Sequence, residues 1–476
     1  MSSAAPAYPV PAYGSLRIPA AAFEVLAYLA AVAVATLSFL AGWLPVNGAV
    51  VLTVVLLTTL IVQSFIHLGQ GRHPVFLFLC TLMLFQGGRL IGYCIGVEPE
   101  PMRVELMTPT AFSLSREDAG LVLLALALSA ICVYAPCRWL YRPVAPPIDV
   151  NVRKYLPYLY LLFFATLPVQ LFKNYRYYEY VQQHGGYTFI FMNHSALAAS
   201  VPLWVRAIPL ITFPVFVAIF VFERRKFPLY VATLLYFSTA SFILLLGSRG
   251  AAFSLALALW WVSRIKTQRK TRIVAVAVFA LLLLFVGWVL QKTREDDNQA
   301  YREFSAGKVV SIQGVSLNVT EMAVKYRPLF SPYFGSYMMR ELQNAFSASD
   351  ASNYYRGRAL GFDVTVLLNP GAFGAGYGTS TSYLAEAYVG GSMIAVVLVS
   401  VAVGLGLQAF YKFSGNSVLV FLFAISLPEI LLMPRGALLD WASVFAKNSI
   451  SIVLLLSGWG VYSLITSIRQ RAVGGI

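Results

Sequence analysis

The stretch Leu246-Gly247-Ser248-Arg249-Gly250-Ala251 decides how the rest of the chain is interpreted. An apolar run from Leu229 to Leu246 precedes it, and a second from Ala251 to Val262 follows. Two membrane-spanning helices would meet at a turn too short to take Arg249 far from the bilayer, where an unpaired arginine is costly. Glycine permits a tight turn, serine can hydrogen-bond, and a guanidinium fork fits phosphate. The pattern favours a functional arginine over a structural one that pairs with a carboxylate or with lipid headgroups.

Composition indicates an integral membrane protein. Of 476 residues, 59% are hydrophobic and 12% are charged, whereas soluble domains carry roughly 25% charged residues. The formal charge of +15 does not indicate a nucleic-acid partner, because the basic residues form short clusters between apolar runs, as topology signals do. The four cysteines have no metal-ligand spacing. No cleavable signal peptide stands out at the N-terminus, so the first apolar run is interpreted as a retained helix.

Twelve apolar runs are candidate membrane spans, for which about 20 residues are needed. They predict an all-α polytopic membrane protein. Nine helices fall in residues 1–290, one large loop in residues 291–382 and three helices in residues 383–476. The runs are Ala22–Gly42, Ala49–Ile66, Val75–Gly96, Ala119–Ala135, Tyr155–Phe172, Val205–Phe222, Leu229–Leu246, Ala251–Ile265, Ile273–Leu290, Tyr383–Tyr411, Val418–Met433 and Ala442–Ile468.

The distribution of lysine and arginine predicts that both termini are cytoplasmic. With this orientation the inner loops hold the basic clusters Arg224–Lys226 and Arg264–Arg272, and the short outer loops hold scattered basic residues. Arg249, Arg435 and the long loop then fall on the extracytoplasmic side. The chain shows no internal repeat, which counts mildly against transporters built from repeats.

Two further motifs fall on the same side. Met433-Pro434-Arg435-Gly436 again combines a helix end, an arginine and a glycine, so Arg249 and Arg435 could clamp one pyrophosphate; a lone arginine at a helix end is the alternative. The long loop closes with Gly374-Ala375-Gly376-Tyr377-Gly378-Thr379-Ser380 before a helix that Ser380 or Thr381 would cap. Free N–H groups at a helix N-terminus attract anions. The segment lacks the P-loop spacing, and a tight or re-entrant turn explains it equally well.

Two carboxylates on that side are candidate bases. Glu386 lies in the first turns of the helix after the glycine-rich segment, and Asp363 lies in the long loop. Glu386 could instead pair structurally with an arginine. No histidine and carboxylate group has a metal-binding spacing such as His-Glu-x-x-His, so we predict no metal site.

The chain resembles the bacterial O-antigen polymerase (Wzy-type) and oligosaccharide repeat-unit polymerase families. The resemblance rests on the Gly247-Ser248-Arg249-Gly250 turn, a large outer loop late in the chain, Pro434-Arg435-Gly436, and the segment Phe373–Ser380 with Glu386 and Tyr388 after it. The related O-antigen ligases share this layout but usually carry a histidine in the large loop, and residues 291–382 contain none. The resemblance therefore favours a polymerase over a ligase.

The resemblance implies a GT-C-like fold and a glycosyltransferase of the bacterial inner membrane. This enzyme would transfer a glycan from undecaprenyl pyrophosphate to the terminal sugar of another lipid-linked repeat unit at the outer face, with no cofactor and no metal. Arg249 and Arg435 would stabilise the departing pyrophosphate, and Glu386 or Asp363 would take the hydroxyl proton.

The same resemblance suggests where the substrates bind. Arginines of the long loop suit a second pyrophosphate on the acceptor lipid, and the serine and glycine-rich motifs suit phosphate. Membrane lipid is a further predicted partner, and whether a separate chain-length regulator protein binds stays open. The predicted substrate-binding residues are Ser248, Arg340, Arg356, Arg358, Gly376, Tyr377, Gly378 and Thr379.

Three alternatives stay open. One is an O-antigen ligase. A second is a polyprenyl-phosphate-sugar-dependent glycosyltransferase, although that class places an acidic residue in the first outer loop and Trp43–Gly48 has none. The third is a non-catalytic lipid-oligosaccharide flippase or exporter, which predicts charges along a path to both faces. Arg89 and Lys447 are the few mid-span charges here, which favours an enzyme acting at one face.

Overall fold

The computed structural model describes residues 17–104, 112–147, 155–184, 187–245, 249–268, 271, 274, 278, 281–282, 285–289, 305–343, 354–374 and 378–474. Nearly all of this part of the chain is helix or short connection. Its strands are β1 (Arg103–Val104) and β2 (Phe112–Ser113), which pair antiparallel. The prediction of an all-α membrane protein is therefore confirmed at the level of fold class.

The first half of the chain forms twelve helices in the described residues. They are α1 (Arg17–Leu40), α2 (Val46–His67), α3 (Pro74–Phe85), α4 (Gly88–Cys94), α5 (Arg116–Trp139), α6 (Leu156–Gln183), α7 (Tyr187–Met192), α8 (His194–Ala199), α9 (Leu203–Ala207), α10 (Pro209–Phe222), α11 (Lys226–Leu245) and α12 (Arg249–Thr267).

The second half begins with short helices from the long loop and ends with long ones. They are α13 (Ala306–Gln313), α14 (Ser316–Lys325), α15 (Arg327–Phe330), α16 (Phe334–Gln343), α17 (Leu360–Leu368), α18 (Pro370–Gly374), α19 (Tyr383–Lys412), α20 (Ser417–Leu432) and α21 (Asp440–Gly474). Short 3-10 turns cover Ser331–Tyr333 and Phe413–Gly415.

Eight helical segments of the described chain are long and apolar enough to cross a membrane, and a ninth is obtained if α3 and α4 form one bent span. Helices α3 and α4 meet at 63°. The predicted seventh and eighth spans fall on α11 and α12, which are helices but are not among those eight. Half of the predicted span at residues 273–290 lies outside the described residues, and the described half is helical.

Helices α5 and α19 pack closely at the centre of the bundle. A Cβ at Gly404 would lie 2.5 Å from the carbonyl oxygen of Val133, so only glycine allows this approach. Ser129 bridges the two helices, because its Oγ lies 2.5 Å from the Tyr383 hydroxyl and accepts from Ser400 Oγ at 3.0 Å. Small residues and interhelical hydroxyls are the usual means by which membrane helices associate.

The described part of the long loop folds onto one end of this bundle. Helix α13 packs on α4, and the buried α14 packs between α5 and α19. A Cβ at Gly314 would lie 2.2 Å from the backbone nitrogen of Arg89, and one at Gly88 would lie 2.4 Å from the Val310 carbonyl. The two glycines therefore let the loop backbone touch the backbone of α4, and the loop is attached directly to the membrane helices.

The loop helices have a hydrophobic core of their own. It includes Met322, Phe330, Tyr337 and Val364, and the first turns of α19 contribute Val389. Helix α19 leaves this core at a break, where Gly391 and Ser392 have non-helical backbone angles. The first turns of α19 therefore pack on both layers, with Ala385 and Val389 in the loop core and Tyr383 and Leu384 in the bundle core.

Candidate functional site

A cavity of about 130 Å³ lies where the loop helices meet the bundle. Its described lining residues supply one guanidinium and several hydroxyl and amide groups, and none of them carries a carboxylate. A small cavity with this lining suits an anion. The lining residues are Gln313, Val315, Ser316, Val319, Thr365, Leu368, Asn369, Ala372, Gly378, Thr379, Ser380 and Arg435.

Arg435 supplies the guanidinium. Helix α20 ends at Leu432, and the Arg435 backbone N–H donates to the Leu432 carbonyl at 2.7 Å. The side chain donates to Oε1 of Gln313 on α13 at 2.9 Å and lies 5.6 Å from the centre of the Phe85 ring. The side chain is exposed. It is thus held over the cavity by a loop helix on one side and by α3 on the other.

The segment Gly378–Ser380 forms the opposite wall and is fastened to α17. The Thr379 backbone N–H donates to Thr365 Oγ1 at 2.9 Å, and Thr379 Oγ1 donates to the Gly361 carbonyl at 2.9 Å. A Cβ at Gly361 would lie 2.6 Å from the Thr379 carbonyl, so glycine permits this contact. The predicted site residues Gly378 and Thr379 therefore share one cavity with Arg435.

Helix α19 begins just after this wall. Its N-cap is Ser382, whose Oγ accepts from the Leu384 N–H at 3.2 Å. The prediction of Ser380 or Thr381 as N-cap was wrong by one or two residues, because Ser380 lines the cavity and Thr381 bonds a side chain instead.

That side chain is Glu386, which is fully buried. Its Oε1 accepts from Thr381 Oγ1 at 2.9 Å, and its Oε2 accepts from the Leu438 N–H at 2.9 Å. The carboxylate therefore ties the segment that follows the cavity wall to the segment that follows Arg435. It lies behind the cavity and is not part of the lining.

Asp363 has a different environment. It is buried on α17 and accepts three hydrogen bonds, from the Tyr337 hydroxyl at 2.7 Å, the Tyr354 hydroxyl at 3.0 Å and the Gly357 N–H at 2.9 Å. Burial, with the Asp363 charge adding to it, raises the pKa of Tyr354 to about 12, so this hydroxyl stays a donor. Asp363 does not line the cavity, and its contacts are those of a carboxylate that holds the loop together.

The other predicted arginine of the clamp begins a helix next to Arg435. Helix α12 starts at Arg249, and a Cβ at Gly250 would lie 3.6 Å from the Leu432 side chain. The start of α12 is therefore beside the end of α20, three residues before Arg435. Ser248 and the Arg249 side chain lie outside the described residues.

Of the remaining predicted binding residues, Arg356 and Arg358 are described, and neither is part of the cavity lining. Arg356 is exposed and donates to the Leu329 carbonyl at 3.4 Å. Arg358 is buried, and its guanidinium lies 6.0 Å from the rings of Tyr355 and of Phe362. Gly376, Tyr377 and the Arg340 side chain lie outside the described residues.

Glu321 on α14 is a buried acid to which no sequence motif pointed. It is fully buried, and within the part of the chain that the structure describes neither carboxylate oxygen has a hydrogen-bond partner. Burial raises its pKa to about 7, while the nearby Arg89 acts in the opposite direction. Arg89 itself donates to Asn318 Oδ1 at 2.6 Å and lies 3.7 Å from Glu98. A single glutamate in a polar loop gives no sequence signal of such burial.

Glu321→Gln is expected to change how stability depends on pH. The folded-state pKa lies above the ordinary value of 4.5, so the stability gained by staying protonated is present below about 4.5 and lost as pH rises through about 7. Glutamine imitates the protonated form at every pH. The Tm of the variant should therefore rise relative to wild type between about pH 5 and pH 8.

Thermal unfolding in detergent across that range would measure the effect. Glu117→Gln removes an exposed carboxylate and serves as the control, for which no comparable trend is expected. If plots of Tm against pH were parallel for wild type and Glu321→Gln, the burial of an ionisable carboxyl at this position would be contradicted.

Among the described residues, no group of three or more His, Cys, Asp or Glu side chains could hold a metal ion. The cavity offers hydrogen-bond donors and a positive charge instead.

Fold and cavity together define a multi-pass helical membrane protein with a small cavity, lined in part by Arg435, where the loop helices meet the bundle. A sequence profile of the family O-antigen polysaccharide polymerase Wzy matches residues 24–464, nearly the whole chain, and the chain belongs to this family. No curated protein and no solved structure shows a significant match. The protein is therefore a glycosyltransferase-like polymerase of O-antigen repeat units, located in the inner membrane as a multi-pass protein. The resemblance seen in the sequence motifs is confirmed.

Proposed function

We propose that the protein transfers a glycan from undecaprenyl pyrophosphate to the terminal sugar of another lipid-linked repeat unit. The observation that carries the proposal is the cavity, which combines the Arg435 guanidinium with Gly378 and Ser380 and has no carboxylate among its described lining residues. A pyrophosphate leaving group gains negative charge as its bond to the sugar breaks. Donors already in place at that point lower the barrier without having to reorganise.

In the proposed step, an acceptor hydroxyl oxygen bonds to the anomeric carbon of the donor glycan. The bond from that carbon to the pyrophosphate oxygen breaks, and its electron pair leaves with the pyrophosphate. The hydroxyl proton passes to a carboxylate, for which Glu386 is our leading candidate because it braces both sides of the cavity. Hydrogen bonds from Thr381 Oγ1 and from the Leu438 N–H fix the orientation of the Glu386 carboxylate. Asp363, with three donors, is the second candidate.

Arg249 is proposed to complete a two-arginine clamp on the pyrophosphate. The close approach of Gly250 to Leu432 supports this, because it brings the N-terminus of α12 beside the turn that carries Arg435. Ser248 precedes that helix start and would add a hydroxyl. A planar guanidinium can bond two phosphate oxygens at once, so two such groups would hold the leaving group in one orientation.

The acceptor lipid carries a pyrophosphate of its own. Arg356 is exposed on the loop and is proposed to contact it together with Arg340, while the buried Arg358 would hold the loop from inside. Gly376 and Tyr377 would extend the phosphate-binding wall formed by Gly378 and Thr379. A chain-length regulator protein remains a proposed partner.

The proposed topology places both termini in the cytoplasm. Residues 1–290 would supply nine spans and residues 383–476 three, in a GT-C-like arrangement, with residues 291–382 as the extracytoplasmic loop. Transfer would then take place at the outer face of the inner membrane. The catalysis is proposed to require no metal and no cofactor, because the charge stabilisation comes from arginines.

Polymer formation in nanodiscs tests the proposal. The substrate is the native lipid-linked repeat unit, purified from cells that lack the polymerase gene. A ladder of longer products is expected, and it should be unchanged by EDTA. Failure of folded wild-type protein to extend the unit would refute the proposed reaction. A ladder lost with EDTA and restored by a divalent cation would refute metal independence.

Two further assays distinguish the polymerase from a ligase and from a flippase. Supplying lipid A–core as acceptor would reveal a ligase, since a ligase joins the glycan to that acceptor without making a ladder. In detergent solution the repeat unit reaches every face of the protein, so no translocation is needed. A flippase would then leave the substrate unchanged, whereas a polymerase would extend it.

A further inference from the structure

The break between α3 and α4 lies against the turn that carries Arg435. Helix α3 ends at Phe85, whose ring lies 5.6 Å from the Arg435 guanidinium. The next residue, Gln86, is fully buried. The large majority of buried polar side-chain groups have a hydrogen-bond partner inside the protein.

The Gln86 amide is bonded to three segments that build the cavity. Its Nε2 donates to the Pro434 carbonyl at 2.6 Å and to Ser382 Oγ at 3.1 Å, and its Oε1 accepts from Thr320 Oγ1 at 2.9 Å. Pro434 immediately precedes Arg435. Ser382 follows the Gly378–Ser380 wall, and Thr320 belongs to α14, whose residues Ser316 and Val319 also line the cavity.

The orientation of this amide is determined by its partners. A backbone carbonyl can only accept a hydrogen bond, so the nitrogen of Gln86 must face Pro434. The oxygen then faces Thr320, whose hydroxyl can donate. A flipped amide would place two oxygens against each other in a buried site, where an unmade hydrogen bond is expensive. Gln86 therefore connects the three segments in one defined arrangement.

The break between α3 and α4 also contacts the end of α13, the helix whose Gln313 bonds the Arg435 side chain. Gly88, two residues after Gln86, contacts Gly314 backbone to backbone. Gln313, which accepts from the Arg435 guanidinium, is the neighbour of Gly314. Residues Phe85–Gly88 thus support Arg435 in three ways. The Phe85 ring lies near its guanidinium, Gln86 bonds the turn before it, and Gly88 contacts the C-terminal end of α13, whose Gln313 bonds its side chain.

We propose that Gln86 is a positioning residue that sets the placement of Arg435 relative to the Gly378–Ser382 segment. This inference rests on the proposed role of Arg435 at the leaving group. Gln86 acts through the turn and contacts no substrate. Small displacements of groups that act in a transition state lower the rate strongly, so the loss of its three hydrogen bonds should appear in kcat.

Gln86→Met tests the proposal, because methionine keeps the length of the side chain and removes every hydrogen bond. The expected result is a kcat at least about 10-fold lower, with KM changed less than about 3-fold. Gln408→Met is the matched control. Gln408 is a buried glutamine near the other end of α19 that bonds His73 and the Leu140 carbonyl, and its loss should leave kcat and KM unchanged even if Tm falls.

Combination with Arg435→Ala distinguishes positioning from general destabilisation. If Gln86 acts through Arg435, Gln86→Met should lower kcat no further once Arg435 is removed. A full additional loss in the double variant would overturn the proposal. So would a single variant that keeps the wild-type kcat.

A cross-linking experiment tests the positioning role of Gln86 independently of the reaction. Gln313→Cys and Arg435→Cys, in a chain freed of its four native cysteines, would be joined by a short bis-thiosulfonate linker. Cross-linking should be efficient with Gln86 present and clearly reduced with Gln86→Met. Unchanged cross-linking would overturn the positioning role. If wild-type protein makes no polymer but cross-linking still depends on Gln86, the proposed function fails and the positioning role stands.

Discussion

Replacement of Arg435 with alanine is expected to lower the rate of polymer formation at least about 100-fold. The side chain is the one guanidinium in the described cavity lining, and it is oriented by Gln313 and Phe85. Loss of a preorganised positive group at a departing pyrophosphate should reduce kcat more than it raises KM. Single-turnover assays with the purified lipid-linked unit would separate the two effects.

Two companion variants sharpen this test. Arg116→Ala removes an exposed arginine that donates to the carbonyls of Phe39 and Leu44, and it should leave the rate unchanged. Arg435→Lys keeps the charge but loses the planar fork, so an intermediate rate is expected. If lysine at both Arg249 and Arg435 supported full polymerisation, the two-arginine clamp would be refuted.

Hydropathy was sufficient to predict the fold class, because a spanning helix must be apolar along about 20 residues. It could not predict how the loop attaches. The close contact of Gly88 with Gly314 joins residues more than 200 positions apart, and neither glycine stands out in its own segment. The same holds for Gln86, which the sequence shows only as a polar residue before two glycines inside an apolar run.

Part of the candidate site could be predicted from the sequence, because some of its residues lie in recognisable local patterns. Arg435, Gly378 and Thr379 each stood at a helix end or in a glycine-rich segment, and these local patterns identify backbone exposed to a ligand. The structure brings the three together in one cavity. Glu386 and Asp363 looked alike in the sequence as acids near apolar residues. Their hydrogen-bond partners differ, and partners contributed from distant segments leave no local pattern.

Gly314→Ala is expected to lower the stability of the folded protein strongly. A Cβ at this position would lie 2.2 Å from the backbone nitrogen of Arg89 and 2.8 Å from the carbonyl carbon of Gly88. Backbone atoms cannot rotate away as a flexible side chain can, so α13 must separate from α4. Overpacking of this kind costs about 3 kcal/mol, and thermal unfolding in detergent should show a clearly lower Tm.

Gly335→Ala is the matched control for this substitution. Gly335 lies in α16, and a Cβ there would meet nothing within 4 Å, so alanine should leave stability unchanged or slightly improve it. Separation of α13 from α4 would also withdraw Gln313 from Arg435, so Gly314→Ala should reduce polymer formation in whatever fraction stays folded. A variant with wild-type Tm and activity would show that the loop is not attached through this contact, and the arrangement of the cavity would then need another support.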